Sequence, residues 1–498
     1  VQFSNNAKKM NILLCSTEVT PFAKTGGLAD VCNYLPKEWQ KMGHKSVIIM
    51  PKYGFIDLNK YNFERTDLVI NVPMGHNIES AVLWRGYLPE SKVEVYLIEY
   101  EAYFNRPFIY GDNSEYMDND RRFIFISRAV FEVAKVIDFK PDIIHAHDYH
   151  LSFTMPFLKI YYRFDPFFAK TAGVFTIHNL AYQGKFNQFR VMDYSGFGMK
   201  EFYKDSWFEH DSIVNFMKVG VMFADKVTTV SPNYAKEIRI PYYGEGLHQI
   251  LNEKSHDLVG ILNGVDYSEW NPEIDNLIYS KYNIGEFDKK YNNKFELQKE
   301  MGLNPNNQAE LPIFGMVTRL TEQKGFEIIR ETLIKLLEAR KIKFVILGSG
   351  ESEYIEFFNY LKYRFPENVA TYFGFDNTLS HKIIAGSDFF LLPSRFEPCG
   401  LTQMYSLKYG TLPIVRATGG LVDTVKEYSY EYQNGDGIVF NNFSGNDFEY
   451  ATVRAIDLYK TSAHFDIARR NAMSKDYSSH LSAINYLSVF NWALEKLV

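Results

Sequence analysis

The chain has 498 residues, with 54 Lys+Arg against 60 Asp+Glu for a formal net charge of −6, and is 46% hydrophobic, 23% charged and 16% aromatic. At about 150 residues per domain this length suggests two to four domains, and the composition excludes a disordered or fibrous chain and a generally nucleic-acid-binding surface. No apolar run approaches the roughly 20 residues a membrane helix needs, and three cysteines (Cys15, Cys32, Cys399) are too sparse for a disulfide scaffold, so a soluble intracellular protein is expected.

Residues 1–9 (VQFSNNAKK) are polar and begin at Val1, which suggests a processed remnant, a cloning scar or a frayed end. From Asn11 the chain reads as strand (Ile12–Cys15), Gly turn (Thr25-Gly26-Gly27), helix (Leu28–Met42) and strand (Val47–Met50). Short apolar runs between helix-period segments continue at Val93–Ile98, Ile143–Ile144, Val174–Ile177 and Val227–Val230. This alternation predicts an α/β domain with a mainly parallel sheet. Residues 272–310 change character: Asn, Lys, Glu and Tyr dominate and strand-like runs are few. A second series follows at Ile313–Val317, Phe344–Leu347, Ala370–Phe373, Phe389–Leu392, Ile414–Val415 and Ile438–Phe440, with helices such as Gly325–Arg340 and Leu401–Tyr409 between. The reading is two doubly wound, Rossmann-like domains, 1–260 and 261–475, with a helical segment 476–498 packing back towards the first. Ligands of such sheets bind beyond the carboxyl ends of the strands, and a central cleft between the domains is expected.

Thr25-Gly26-Gly27-Leu28-Ala29-Asp30 recurs as Thr418-Gly419-Gly420-Leu421-Val422-Asp423. Paired glycines ahead of a helix let backbone N–H groups approach an anion, and Lys24 adds a charge; the plain alternative is a tight turn that needs φ > 0. The two copies read as one physical device used twice. Arg319 and Lys324 follow a predicted strand, where a guanidinium and an ammonium suit a diphosphate; a solvated helix start is equally consistent. Pro393-Ser394-Arg395-Phe396-Glu397-Pro398-Cys399-Gly400-Leu401-Thr402 follows another strand and opens a helix. Its carboxylate could accept sugar hydroxyls or steady a cationic transition state, or simply answer the helix dipole. His145-Ala146-His147-Asp148-Tyr149-His150 has the look of a metal cluster, but a polar substrate-side loop fits the pattern better. His178 in Thr176–Gly184 stands at a strand end, where active-site residues gather.

These segments together closely resemble the glycogen and starch synthases of the bacterial and plant type. The resemblance rests on Lys24–Val31 (KTGGLADV), Thr176–Gly184, Val230–Tyr234, Gly244–Leu247, Gly260–Asp266, Thr318–Gly325 and Pro393–Gly420, and runs from about residue 10 to 470 in the family's order. It implies a GT-B glycosyltransferase that moves glucose from a nucleotide sugar, ADP-glucose in preference to UDP-glucose, onto an α-1,4-glucan acceptor. The family retains the anomeric configuration and needs neither metal nor cofactor. Carried onto matching positions, the resemblance implies Lys24, Gly27 and Asp30 at or ordering the donor phosphates and glucose, with Arg319 and Lys324 neutralising the leaving diphosphate. Glu397, Cys399 and Gly400 would hold glucose hydroxyls, with the N–H groups of Leu401 and Thr402 at the phosphate and Phe375 packing on the base. His178 would sit by the reacting sugar, and Asp148 and Tyr182 on the acceptor side.

Tyr149 stands where the family often has Trp, and Phe375 where it often has Tyr. Tyr405 takes the place eight residues after Glu397 where many other retaining GT-B enzymes carry a second Glu; Tyr is usual there in this family, and the resemblance implies Tyr405 on the donor-binding side. Tyr477 and its neighbours lack a Trp common near that point. The expected location is cytoplasmic, or a plastid if the N-terminus is a processed remnant. The competing readings are another retaining GT-B transferase, an inactive glucan-binding scaffold of the same fold, and a metal hydrolase built on His145–His150.

Overall fold

The computed structural model describes residues 9–112, 114–304 and 311–497, so the polar start at 1–8 lies outside the described residues, as does 305–310. The chain forms two compact units, Val1–Gly264 with Ser479–Val498, and Val265–Ser478.

Among its described residues the first unit carries twelve strands: β1 (Asn11–Cys15), β2 (Lys45–Pro51), β3 (Glu64–Met74), β4 (Asn77–Tyr87), β5 (Glu94–Glu99), β6 (Ile143–His147), β7 (Ala172–Ile177), β8 (Lys185–Phe186), β9 (Glu209–His210), β10 (Ile213–Asn215), β11 (Lys226–Thr229) and β12 (Leu258–Gly260). Nine form one sheet in the order β12-β11-β7-β6-β1-β2-β5-β4-β3, and the short β8, β10 and β9 form another. All pairings from β12 to β5 are parallel, whereas β5-β4 and β4-β3 are antiparallel. The central parallel strands β1, β2, β6 and β7 are mostly apolar and buried along nearly their whole length, as a sheet covered on both faces requires. The β3–β4 hairpin is absent from the strands expected from sequence. Its outer positions alternate exposed and buried, and its two-residue turn uses Gly75 at φ +61°. A glycine two residues before Asn77 in an alternating stretch is the signal that marks it.

The helix Gly27–Lys41 buries Leu28, Val31, Cys32, Leu35 and Trp39, one face at helical spacing, and ends ahead of Gly43 at φ +88°. The last helix, Ser479–Glu495, belongs to this unit. Trp39 donates its indole N–H to the Ala483 carbonyl (3.1 Å) and packs edge-on to Phe490 (5.2 Å).

The second unit holds β13 (Ile313–Leu320), β14 (Lys343–Gly350), β15 (Val369–Phe373), β16 (Phe389–Leu392), β17 (Leu412–Arg416) and β18 (Ile438–Phe440), all parallel, in the order β15-β14-β13-β16-β17-β18. Numbered within the unit this is 3-2-1-4-5-6, the doubly wound order, whose direction reverses between β13 and β16. The parallel part of the first unit's sheet reverses likewise, between β1 and β6. The polar stretch before β13 contains a helix, Phe287–Glu300, with two buried lysines. Lys294 pairs with Asp388 (2.6 Å), and Lys290 donates to the Ala385 carbonyl and the Thr411 hydroxyl (2.7 Å each). Its polar composition concealed core positions because both lysine amino groups find partners inside, a carboxylate for Lys294 and neutral oxygens for Lys290.

Candidate active site

Reversal of strand order leaves a crevice at the carboxyl ends of the two strands on either side, because their connections depart to opposite faces. In the first unit those strands are β1 and β6, with β7 beside β6. The loop after β1 holds Lys24–Gly27, β6 runs out into Asp148, and β7 into His178.

The loop after β1 is organised by a residue that the sequence reading missed. Glu18, 3% exposed, accepts from the Thr25 backbone N–H, the Thr25 hydroxyl (2.6 Å), the Gly26 N–H (3.2 Å) and the Tyr110 hydroxyl (2.5 Å). Lys24 reaches Asp30 at 2.8 Å, and Asp30 also accepts from the Thr20 hydroxyl at 2.9 Å. Gly26 sits at φ −155°, open to any residue, and a Cβ there would meet nothing within 4 Å. The turn therefore does not demand its glycine. A missing side chain beside open space suits close approach by a ligand. Glu18→Gln turns an acceptor into an amide facing two N–H groups. We expect about 2 kcal/mol of lost stability in urea unfolding and a roughly 30-fold fall in kcat/KM for the donor; rates within threefold of wild type would show that the loop needs no such anchor.

At the second strand end Asp148 adopts φ 54°, ψ 175°, a conformation that side-chain-bearing residues avoid. Its carboxylate accepts the His178 backbone N–H at 2.7 Å, and its own N–H donates to the Thr176 carbonyl at 2.9 Å. Burial, reinforced by the Glu18 charge and only partly offset by the backbone donors of His178 and Asn179, pushes the Asp148 carboxyl up to about 7. Burial pushes the His178 imidazole down to about 3, so it is neutral at ordinary pH. The residues that suggested a metal are each engaged otherwise. His145 meets the Thr176 hydroxyl (2.7 Å), His147 meets His178 (2.9 Å) and His150 stacks on Tyr110 (4.4 Å). Among the described residues no three His, Cys, Asp or Glu side chains converge as metal ligands. Tyr182, 56% exposed, lies on the loop after β7.

In the second unit the reversal lies between β13, followed by Arg319–Gly325, and β16, followed by Pro393–Gly400. Lys324 Nζ is 2.6 Å from Glu397 Oε2, which also accepts from the Ser394 hydroxyl at 3.1 Å; Glu397 is 7% exposed. The two segments are tied together: the Arg395 N–H donates to the Gln323 carbonyl (2.9 Å), and the Gln323 side-chain amide donates to the Phe396 carbonyl (3.1 Å). Gly400 takes φ +74° immediately before Leu401 and the helix Thr402–Lys408, and Cys399 is buried. Arg319 stands exposed at the end of β13 and Phe375 just beyond the end of β15, with β14 between those strands. Tyr405 stacks on Trp270 at 4.0 Å and 3°, and Trp270 on His381 at 3.7 Å, so Trp270 is a support that sequence patterning did not mark.

The two Gly-Gly copies are not the same device. Gly419 has φ +48°, and a Cβ there would lie 1.8 Å from the Glu397 carbonyl oxygen; one on Gly420 would lie 2.2 Å from that of Cys399. Gly420 N–H donates to the Glu397 carbonyl at 3.1 Å. The second copy thus clamps the Glu397–Cys399 backbone, whereas the first leaves its glycine facing open space.

Comparison with known proteins decides the family. Residues 11–253 match the starch synthase catalytic domain family and residues 302–471 the glycosyl transferases group 1. A glycogen synthase of Thermosipho melanesiensis is 42% identical over 490 residues, which cover 98% of this chain and all of that one. The chain belongs to the glycogen and starch synthase family. A glycogen synthase of Bacillus subtilis is 41% identical over 97% of this chain and 98% of its own. The catalytic domain of starch synthase IV from Arabidopsis thaliana, solved with ADP and acarbose, superposes with a TM-score of 0.89 at 33% identity, covering 98% of this chain and all of that one. A sucrose-phosphate synthase from Thermosynechococcus elongatus, with a TM-score of 0.58 at 14% identity over 97% of this chain and 98% of its own, shares the fold alone. The architecture is GT-B, as glycogen and starch synthases have it. No helix among the described residues is long and apolar enough to cross a membrane.

Proposed function

We propose that this member of the glycogen and starch synthase family lengthens an α-1,4-glucan by transferring glucose, with retention, from ADP-glucose. The observation that carries the reading is the Lys324–Glu397 pair beside the N–H groups of Gly400–Thr402 at the second unit's strand reversal, in a chain related end to end to glycogen synthases. The ADP in the Arabidopsis structure supports ADP-glucose over UDP-glucose. Bacterial relatives favour a cytoplasmic enzyme over a plastid one.

Charge develops on the departing diphosphate, so donors fixed in advance lower the barrier most. Arg319 and Lys324 supply cations there, with the Leu401 and Thr402 N–H groups, while Glu397, Cys399 and Gly400 hold glucose hydroxyls and Phe375 packs on the base. Lys24, Gly27 and Asp30 serve the donor from the first unit's loop. The oxocarbenium-like sugar is attacked on the face the diphosphate leaves, and the leaving phosphate helps remove the proton from the acceptor's 4-hydroxyl. His178 stands by the reacting sugar, with Asp148 and Tyr182 on the acceptor side. No step calls for a metal or cofactor, and rates should survive exhaustive chelation. The direct test is ADP-glucose or UDP-glucose with glycogen, following diphosphate release and chain growth. Transfer from ADP-glucose at least tenfold faster is expected; no incorporation from either donor by folded protein would sink the reading.

A further inference from the structure

His147 is fully buried at the end of β6, directly beside Thr176 across the parallel β6–β7 register. Its Nδ1 lies 2.9 Å from Nε2 of His178, with ring planes tilted by 33°. Its other nitrogen, Nε2, has no hydrogen-bond partner among the described residues.

We infer that His147 is a positioning residue that donates from Nδ1 to His178 Nε2, fixing His178 as the tautomer with its proton on Nδ1 and presenting it to the sugar as a hydrogen-bond donor rather than a base. Burial keeps both rings neutral, holding His147 well below its ordinary value with help from His145 and His178. Two neutral imidazoles share one proton in their bond, which leaves two arrangements. If His178 donated, the proton of His147 would sit on Nε2 as a buried N–H with no acceptor. If His147 donates, its Nε2 keeps only a lone pair, and an unanswered buried acceptor is tolerated more often than an unanswered donor. The second arrangement therefore prevails. The hydrogen bond at one ring nitrogen sets what the other presents: Nδ1–H of His178 is then fixed as a donor before substrate arrives. Transfer needs no proton from this ring, since the leaving phosphate takes the acceptor's proton. The network continues behind His147, where His145 meets the Thr176 hydroxyl and that hydroxyl meets Thr228 at 2.6 Å.

The inference rests on the reading that places His178 at the sugar, and two kinds of measurement separate them. Long-range 1H–15N spectra of the full chain labelled on histidine, with the His178 ring assigned by its loss in His178→Ala, should show that ring protonated on Nδ1 at pH 7.5. A pattern with the proton on Nε2 overturns the inference whatever the activity. His147→Leu, which can neither donate nor accept, should leave the His178 tautomer unfixed, with the Nε2–H form populated, and lower kcat about 30-fold with the glucan KM within twofold; His147→Asn, which can still donate, should stay within threefold of wild type. A released tautomer with undiminished kcat overturns the positioning role. Should His147→Leu fail to fold, the wild-type spectrum still decides. Full activity in His178→Ala would overturn the site reading instead, and the tautomer would still be settled by the spectrum.

Discussion

Glu397→Ala is expected to lower kcat about 1000-fold while glycogen binding changes less than threefold, to be checked by diphosphate release from ADP-glucose and by glucan co-sedimentation. The size follows from what the change removes. Glu397 is 7% exposed and shares its Oε2 between Lys324 at 2.6 Å and Ser394 at 3.1 Å. A preorganised charged group in a site poor in water contributes far more than the same group on a surface. Lys324→Ala should show a loss of similar size, because it leaves the Glu397 carboxylate buried without its cation and, in the proposed reading, takes a cation from the departing diphosphate. The double variant should lose much less than the product of the two, since residues of one ion pair act as a unit. Additive losses would mean that the pair does not act together, and a single-variant loss under fivefold would remove both residues from the donor site.

Asp148 gives the second large effect and ties activity to strain. Asp148→Gly should lower kcat about 100-fold, since it removes the carboxylate that holds the His178 backbone N–H and faces the acceptor in the proposed reading. Its stability should stay within about 1 kcal/mol of wild type. The strain at φ 54°, ψ 175°, worth about 1–3 kcal/mol, is relieved as hydrogen bonds of similar value are lost. Asp148→Ala keeps the strain and loses the bonds, so it should be less stable than Asp148→Gly by about 1–2 kcal/mol, the reverse of the usual order. Urea unfolding of the two variants checks this, and an alanine variant as stable as the glycine variant would refute the strain.

The same carboxyl links stability to pH. Its value is raised to about 7 in the fold, chiefly by burial, above the ordinary aspartate range near 4. Between those values folding takes up a proton. The contribution is fully present below the unfolded value and is lost as pH rises through about 7. Asp148→Asn does not titrate, so its melting temperature should gain on wild type between pH 5 and pH 8. A difference independent of pH over that range would show the carboxyl to be ionised throughout.

Strand identity was legible wherever the strand is buried on both faces. Ile12–Cys15, Val174–Ile177 and Phe389–Leu392 are short apolar runs because helices cover such a parallel sheet, and the runs stand out against polar connections. The β3–β4 hairpin was not legible as apolar runs because Val69 and Ile78 are exposed and the pattern alternates. The helix Phe287–Glu300 was hidden because Lys290 and Lys294 are core residues whose amino groups meet partners more than 90 positions away.

The site divides along the same line. Lys24, Asp30, Lys324, Glu397 and His178 could be singled out from sequence because glycines, charges and a histidine collect at predicted strand ends, and position along the chain carries that information. Strand order cannot be read this way. Only the fold sets β1 beside β6 and β13 beside β16, and so decides which strand ends flank a crevice. Glu18, Tyr110, His147 and Trp270 act through partners that are distant in sequence or buried in it: Tyr110 reaches Glu18 across 92 positions and His147 reaches His178 across 31. The two Gly-Gly copies make the same point with identical letters. Sequence determined that a glycine stands at 26 and at 419, but only tertiary packing decided that one faces open space while the other lies against the Glu397 carbonyl, because a residue's missing Cβ has meaning only relative to what the fold brings next to it.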